Sequence, residues 1–113
     1  MSCLFCRMIS NDLPVNILHQ DDQVIAIKDI HPQAAEHLLI IPKKHLDTMN
    51  AVKKEDAGLI AHLFQTAKYM ATVQNIADTG YRLVLNCNAN AGQSIYHLHL
   101  HLLGGQPLTN QFA

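Results

Sequence analysis

Apolar and polar positions change rhythm several times along the chain, and each rhythm predicts a different element. The opening stretch from Cys3 to Ser10 is short and mostly apolar, and Asn11-Asp12 with Pro14 closes it, so a turn or two of helix is expected. Val15 to His19 and Val24 to Lys28 are β-prone runs on either side of Gln20-Asp21-Asp22, the pattern of a hairpin. Pro32 disfavours helix at His31, so Ile30 to Ala35 is a loop, and His37 to Pro42 follows as a buried strand stopped by its proline. From Lys53 to about Ala77 the period changes. Leu59, Ile60, Leu63, Phe64, Ala67, Met70 and Ala71 recur at three- and four-residue spacing, the stripe of an amphipathic helix. Glu55 and Asp56 suit the positive end of its dipole, and Asp78-Thr79-Gly80 ends it. Tyr81 to Cys87 is a strand, Asn88 to Gly92 a polar loop, and Ile95 to Leu103 a last strand before Gly104-Gly105.

Short hairpins, one long helix and two further strands predict an α+β domain. Its antiparallel sheet has about five strands, with the long helix covering one face and a short helix at the N-terminus. The 113 residues suit a single domain spanning 1–113. With 49% hydrophobic and 15% charged residues, a packed core is expected rather than disorder. A formal net charge of -1 gives no electrostatic reason to expect nucleic acid or an anionic membrane as partner. No basic segment leads into an apolar run at the start, and no apolar stretch approaches the roughly 20 residues of a membrane span, so a cytoplasmic location is expected. Three cysteines in such a compartment point to metal binding or simple burial rather than to disulfides.

Tyr96-His97-Leu98-His99-Leu100-His101-Leu102-Leu103 carries the most chemistry. Successive strand side chains point to opposite faces, so Leu98, Leu100 and Leu102 belong to the core, under the long helix. His97, His99 and His101 then project together as a row of imidazoles. Crowding disfavours protonating all three, which leaves neutral rings whose tautomers hydrogen bonds can fix. A neutral imidazole is a nucleophile, a general base and a metal ligand. The plainer alternative is a half-exposed strand whose polar face happens to be histidine. Just upstream, Asn86, Asn88 to Gly92, Gln93 and Ser94 form a polar loop able to offer amides, backbone N–H groups and a hydroxyl to phosphate oxygens.

His97 to Leu103 matches the His-φ-His-φ-His-φ-φ signature (φ hydrophobic) of the histidine-triad superfamily. The resemblance runs over nearly the whole chain and is to the Hint branch. It is carried by Leu13-Pro14, Gln20-Asp21-Asp22, Ala26 to Ile30, Pro32-Gln33-Ala34, His37 to His45 (HLLIIPKKH), Gly80-Tyr81-Arg82, Gly92-Gln93-Ser94 with Tyr96, and Leu103-Gly104-Gly105. It implies a homodimeric purine nucleoside phosphoramidase whose sheet continues across the dimer, acting on purine nucleoside monophosphate derivatives and needing no cofactor for catalysis. By the same resemblance His99 is the nucleophile, His101 contacts the phosphate, and His37 and His97 complete the polar network. Asn86, Gly92, Gln93 and Ser94 match positions beside the phosphate or the leaving group. The nucleoside would rest on Leu13, Ile27 and Ile30, with Asp29 accepting ribose hydroxyls; Ile27 stands where the family often has an aromatic residue. Plain core packing is the alternative for Ile27 and Ile30. A dinucleoside polyphosphate hydrolase of the fragile-histidine-triad branch, and a nucleotide-binding scaffold with incidental activity, are the competing functions.

Cys3 and Cys6 have the Cys-x-x-Cys spacing of a zinc-holding pair. Some histidine-triad relatives, and the similar galactose-1-phosphate uridylyltransferases, hold structural zinc with such a pair and two histidines; carried over here, these are His45 and His97. The alternative is that both cysteines are small buried hydrophobes. Cys87 is expected in a strand interior. His19, His31 and His62 share no spacing and are expected at the surface, with His62 near the polar side of the long helix.

Overall fold

The computed structural model describes residues 3–110. Five strands form one antiparallel sheet in the order β1-β2-β3-β5-β4. They are β1 (Ile17–Gln20), β2 (Val24–Lys28), β3 (Glu36–Pro42), β4 (Tyr81–Val84) and β5 (Leu100–Gly104). Helix α1 (Leu4–Ile9) precedes them, and α2 (Ala57–Val73) lies between β3 and β4. The β1–β2 turn is made by Asp21, whose Oδ1 accepts the N–H groups of Gln23 and Val24 at 2.8 and 2.9 Å.

Both faces of the sheet are covered. Val24, Ala26, Leu38, Ile40, Leu98, Leu100 and Leu102 pack under Leu63, Ala67, Met70 and Ala71 of α2. Ile25, Ile27, Leu39 and Ile41 turn the other way and pack with Phe5 of α1. This explains the unbroken apolar run in β3: a central strand buried on both sides has no need of alternation. Gly104 is required by close approach, since a Cβ there would stand 2.8 Å from Ile76 Cδ1 and 3.1 Å from the Gly80 carbonyl. Among the described residues, no helix is long and apolar enough to cross a membrane.

Several boundaries differ from the pattern-based expectation. The long helix ends at Val73 rather than near Ala77, because Asn75 takes a left-handed conformation (φ 64°) and stops it. Its start is a separate 3-10 turn, Lys54–Asp56, in which Asp56 accepts the Lys53 N–H at 3.0 Å. The last strand begins at Leu100 rather than Ile95. Its neighbour β3 ends at Pro42, whose carbonyl is taken by the ring of His97, while the Leu98 N–H goes to the Leu46 carbonyl outside the sheet. β4 pairs with β5 only as far as Val84↔His101, so Cys87 lies beyond the strand in which it was expected.

Candidate active site

The alternation in the histidine segment survives where it decides the site. Leu98, Leu100 and Leu102 are buried beneath α2, and His99 and His101 open on the opposite side. There they border a cleft of about 580 Å³. The size suits a small organic ligand. Leu4, Phe5, Met8, Val15, Ile27 and Ile30 form an apolar wall, and Asp29, His37, Gly92, Ser94, His99 and His101 form the polar end. Ile30 is 83% exposed, an apolar side chain held out at the rim with no packing role. Ile27, by contrast, is buried in the sheet core and borders the cleft as well.

Backbone groups fix the tautomers. Nδ1 of His99 is 2.7 Å from the His97 carbonyl, which can only accept; Nδ1 therefore carries the proton and Nε2 keeps its lone pair. The Phe5 ring stands edge-on to His99, centroids 5.1 Å apart, and limits its rotation. On β3, the Gln33 N–H donates to Nδ1 of His37 at 3.0 Å, so that ring carries its proton on Nε2. This Nε2–H lies 2.9 Å from Nδ1 of His101 and 3.4 Å from Asp29 Oδ2. Donation to His101 leaves the His101 proton on its own Nε2. One ring of the cleft thus offers a lone pair and its neighbour a donor. Burial lowers the His101 pKa to about 4, with the nearby His99 and His37 adding to the effect. Burial also lowers that of His37, against the pull of Asp29. Both rings are therefore neutral near pH 7.

His97 does not join the row. Its ring is fully buried, outside the cleft lining, and faces the cysteines of α1. Only its carbonyl serves the site. Leu13 and Asn86 also lie outside the cleft lining. Gln93 is buried under the loop rather than facing the cleft: Oε1 accepts the Asn88 N–H at 2.8 Å, and Nε2 donates to the carbonyls of Asp47 and Ile95 at 2.8 and 3.1 Å. It braces the turn in which Gly92, at φ 90°, presents the backbone to the cleft. Sequence reasoning missed Leu4, Phe5 and Met8 as cleft residues. Their apolar character was visible, but a six-residue helix does not reveal which surface it covers.

Cys3, Cys6, His45 and His97 do come together, with one ligand atom from each lying within 4.8 Å of the others. Cys3 Sγ is 3.3 Å from Nδ1 of His97, and Cys6 Sγ is 3.3 Å from Nδ1 of His45. Each ring donates its far N–H outward, His97 Nε2 to the Pro42 carbonyl and His45 Nε2 to Asp47 Oδ1, both at 2.7 Å. Both Nδ1 atoms are thereby left bare toward the sulfurs, which is the orientation metal-ligating histidines take. The donor set of two thiols and two bare imidazole nitrogens fits zinc.

A second histidine pair was not foreseen. His62 and His19 converge on one carboxylate oxygen of Asp21, at 2.8 and 3.3 Å. Although burial opposes ionisation of Asp21, the N–H groups of Gln23 and Val24 and these two rings hold its carboxyl well below the usual range. The cluster ties α2 to the β1–β2 turn.

This fold has close counterparts. The fold matches the HIT family hydrolase from Legionella pneumophila Philadelphia 1 with a TM-score of 0.95 and 44% identity, covering 97% of this chain and 98% of that one. The chain belongs to the histidine-triad superfamily. A HIT family hydrolase from Clostridium thermocellum matches as well, with a TM-score of 0.95, 41% identity and coverage of 99% and 97%. The family model described as "Scavenger mRNA decapping enzyme C-term binding" matches residues 2–111 of this histidine-triad protein. Over 110 residues it is 43% identical to the purine nucleoside phosphoramidase of Escherichia coli (strain K12), covering 97% of this chain and 92% of that protein. It stands in the Hint-like branch of the superfamily and is a hydrolase.

Proposed function

We propose that this enzyme cleaves the P–N bond of purine nucleoside 5′-phosphoramidates through a nucleotidyl-His99 intermediate. The observation that carries the proposal is the His99 tautomer: Nδ1–H is held by the His97 carbonyl, so the Nε2 lone pair is available beside the cleft. That lone pair attacks the α-phosphorus as the substrate's P–N bond breaks, and the amine departs with a proton from solvent. Water then attacks the phosphorus, the P–Nε2 bond breaks, and the nucleoside monophosphate leaves with His99 restored. Splitting one substitution into two lowers the barrier of each. His101 donates its Nε2–H to a phosphoryl oxygen, with His37 holding its orientation. The Gly92–Ser94 turn lies at the same end of the cleft. Asp29 takes the ribose hydroxyls, and the base lies against Met8, Val15, Ile27 and Ile30. The Escherichia coli relative's name supports the substrate class. Turnover of adenosine 5′-phosphoramidate in preference to a diadenosine polyphosphate tests it.

Cys3, Cys6, His45 and His97 are the residues that would hold a structural zinc, a cross-link between α1 and the segments before α2 and β5. Purified protein is then expected to carry about one zinc per chain, and Cys3→Ser to lower both metal content and melting temperature.

The protein would act as a two-fold homodimer. β4 is a sheet edge with Leu83 and Val84 only partly buried, and Phe64 is exposed on α2. Phe64 lies on the flank of α2 opposite His62, which reaches the β1 side, so it faces the β4 side. A second copy adding its own β4 there would extend the sheet and cover both.

A further inference from the structure

Two parts of the cleft hang from one cluster. The first is α1. With six residues it is far too short to persist as an isolated helix. Its Leu4, Phe5 and Met8 are cleft wall, while Cys3 caps it and Cys6 lies one turn on, both facing the imidazoles of His97 and His45. The second is the nucleophile, whose Nδ1–H is held by the carbonyl of His97, the residue whose ring faces both sulfurs at 3.3 and 3.6 Å.

We infer that the Cys3–Cys6–His45–His97 cluster positions the cleft, so that zinc occupancy and nucleoside monophosphate affinity are coupled. Thiol-to-imidazole contacts are weak hydrogen bonds, and without metal they are the polar links from α1 to His45 and His97. Zinc replaces them with coordinate bonds that fix α1 and His97 together. A nucleotide entering the zinc-loaded cleft meets a wall and a nucleophile already ordered; entering the zinc-free cleft, it must order them at a cost in affinity. Linkage then requires the reverse effect, with bound nucleotide holding zinc tighter by the same factor. His45 and the cysteines act here through His97 and α1, as positioning residues.

The inference rests on the zinc and nucleotide assignments above, and the test separates their failures. The full-length protein is prepared zinc-loaded and chelator-stripped, and adenosine 5′-monophosphate binding is measured on each by calorimetry. Zinc affinity is measured by chelator competition with and without saturating adenosine 5′-monophosphate. The coupling predicts nucleotide binding about 10-fold weaker without zinc, zinc held about 10-fold tighter with nucleotide, and a far-UV circular dichroism signal that falls on stripping by no more than the share of the short helix α1. His45→Asn, which removes a ligand outside α1, should loosen both ligands in the same direction. Equal nucleotide affinity in both forms overturns the coupling. So does loss of the far-UV signal on stripping, because the metal would then hold the whole fold. Failure to take up zinc, with nucleotide still bound, overturns the zinc assignment and the coupling but leaves the nucleotide cleft standing. Failure to bind nucleotide in either form overturns the coupling together with the nucleotide cleft.

Discussion

The carbonyl of His97 holds Nδ1 of His99 at 2.7 Å, while the ring of His97 points away from the cleft to the cysteines of α1. Two histidines that the sequence places in one row thus have separate duties. One carries the lone pair, and the other supplies the backbone acceptor that keeps it on Nε2. Replacing the side chain of His97 should therefore disturb metal content and stability before it disturbs chemistry. His97→Ala is expected to bind less zinc and melt lower, with residual turnover well above that of His99→Ala. Equal turnover losses for the two variants would assign His97 a direct role in the reaction.

Stability should fall in mild acid through His101. Its folded-state pKa is lowered to about 4 from an ordinary 6.5, chiefly by burial, so the folded protein favours the neutral ring. Between these values the unfolded chain binds more protons than the folded one, and stability drops as pH falls from 6.5 toward 4. The lowered pKa of His37 acts in the same direction. Urea denaturation across this range should show a shallower loss for His101→Gln than for the parent. An identical slope would count against the partly buried, neutral ring.

Gln93 tests whether the loop is braced rather than reactive. Its side chain makes three hydrogen bonds under the Asn88–Ile95 turn. Gln93→Ala strands those groups and is expected to lower stability by roughly 2 kcal/mol, with nucleotide binding weakened as the turn loosens. A variant as stable as the parent by urea denaturation would show the brace to be dispensable.

The homodimer predicts that a charge at the β4 edge or on the exposed α2 flank blocks assembly. Leu83→Lys and Phe64→Glu should each give a monomeric mass by light scattering at micromolar concentration, against a dimer for the parent. A parent that is itself monomeric would remove this part of the account.

His62 is the contrasting control. Its bond to Asp21 is partly exposed and far from the cleft in the fold, so His62→Ala should cost about 0.5 kcal/mol of stability. Turnover should stay at the parent's level. A large fall in turnover would link the β1–β2 turn to the site in a way the geometry does not show.

Legibility from sequence followed periodicity. The leucines of the triad segment, the α2 stripe and the apolar run of β3 each encode burial by spacing, and each packs as its pattern predicts except at Phe64, which the stripe included and which is exposed on the flank of α2. Cys-x-x-Cys was legible as a thiol pair from its spacing, whereas His45 and His97 joined it only through the family resemblance, and the structure brings the four together. What spacing cannot encode is where a strand begins when its neighbour has run out. Ile95 to His99 has strand character, yet the ladder with β3 stops at Ile40↔Leu100, and beyond it the Leu98 N–H goes to Leu46 and the His97 ring to the Pro42 carbonyl, out of the row. Gln93 was misplaced for a related reason, since a glutamine reaching phosphate and one bracing a turn look alike until the backbone path is known. The meeting of His19 and His62 at Asp21 depends on how α2 crosses the sheet, which no local pattern contains.

The most direct measurement is on His99. After a rapid alkaline quench of a reaction with adenosine 5′-phosphoramidate, peptide mass analysis kept above neutral pH should find one adenylyl group on His99 in the parent. His99→Ala should carry none, lose on the order of 10^4-fold or more in kcat, and still bind adenosine 5′-monophosphate. Near-parental hydrolysis by His99→Ala, or the adenylyl group on another residue, would contradict the account.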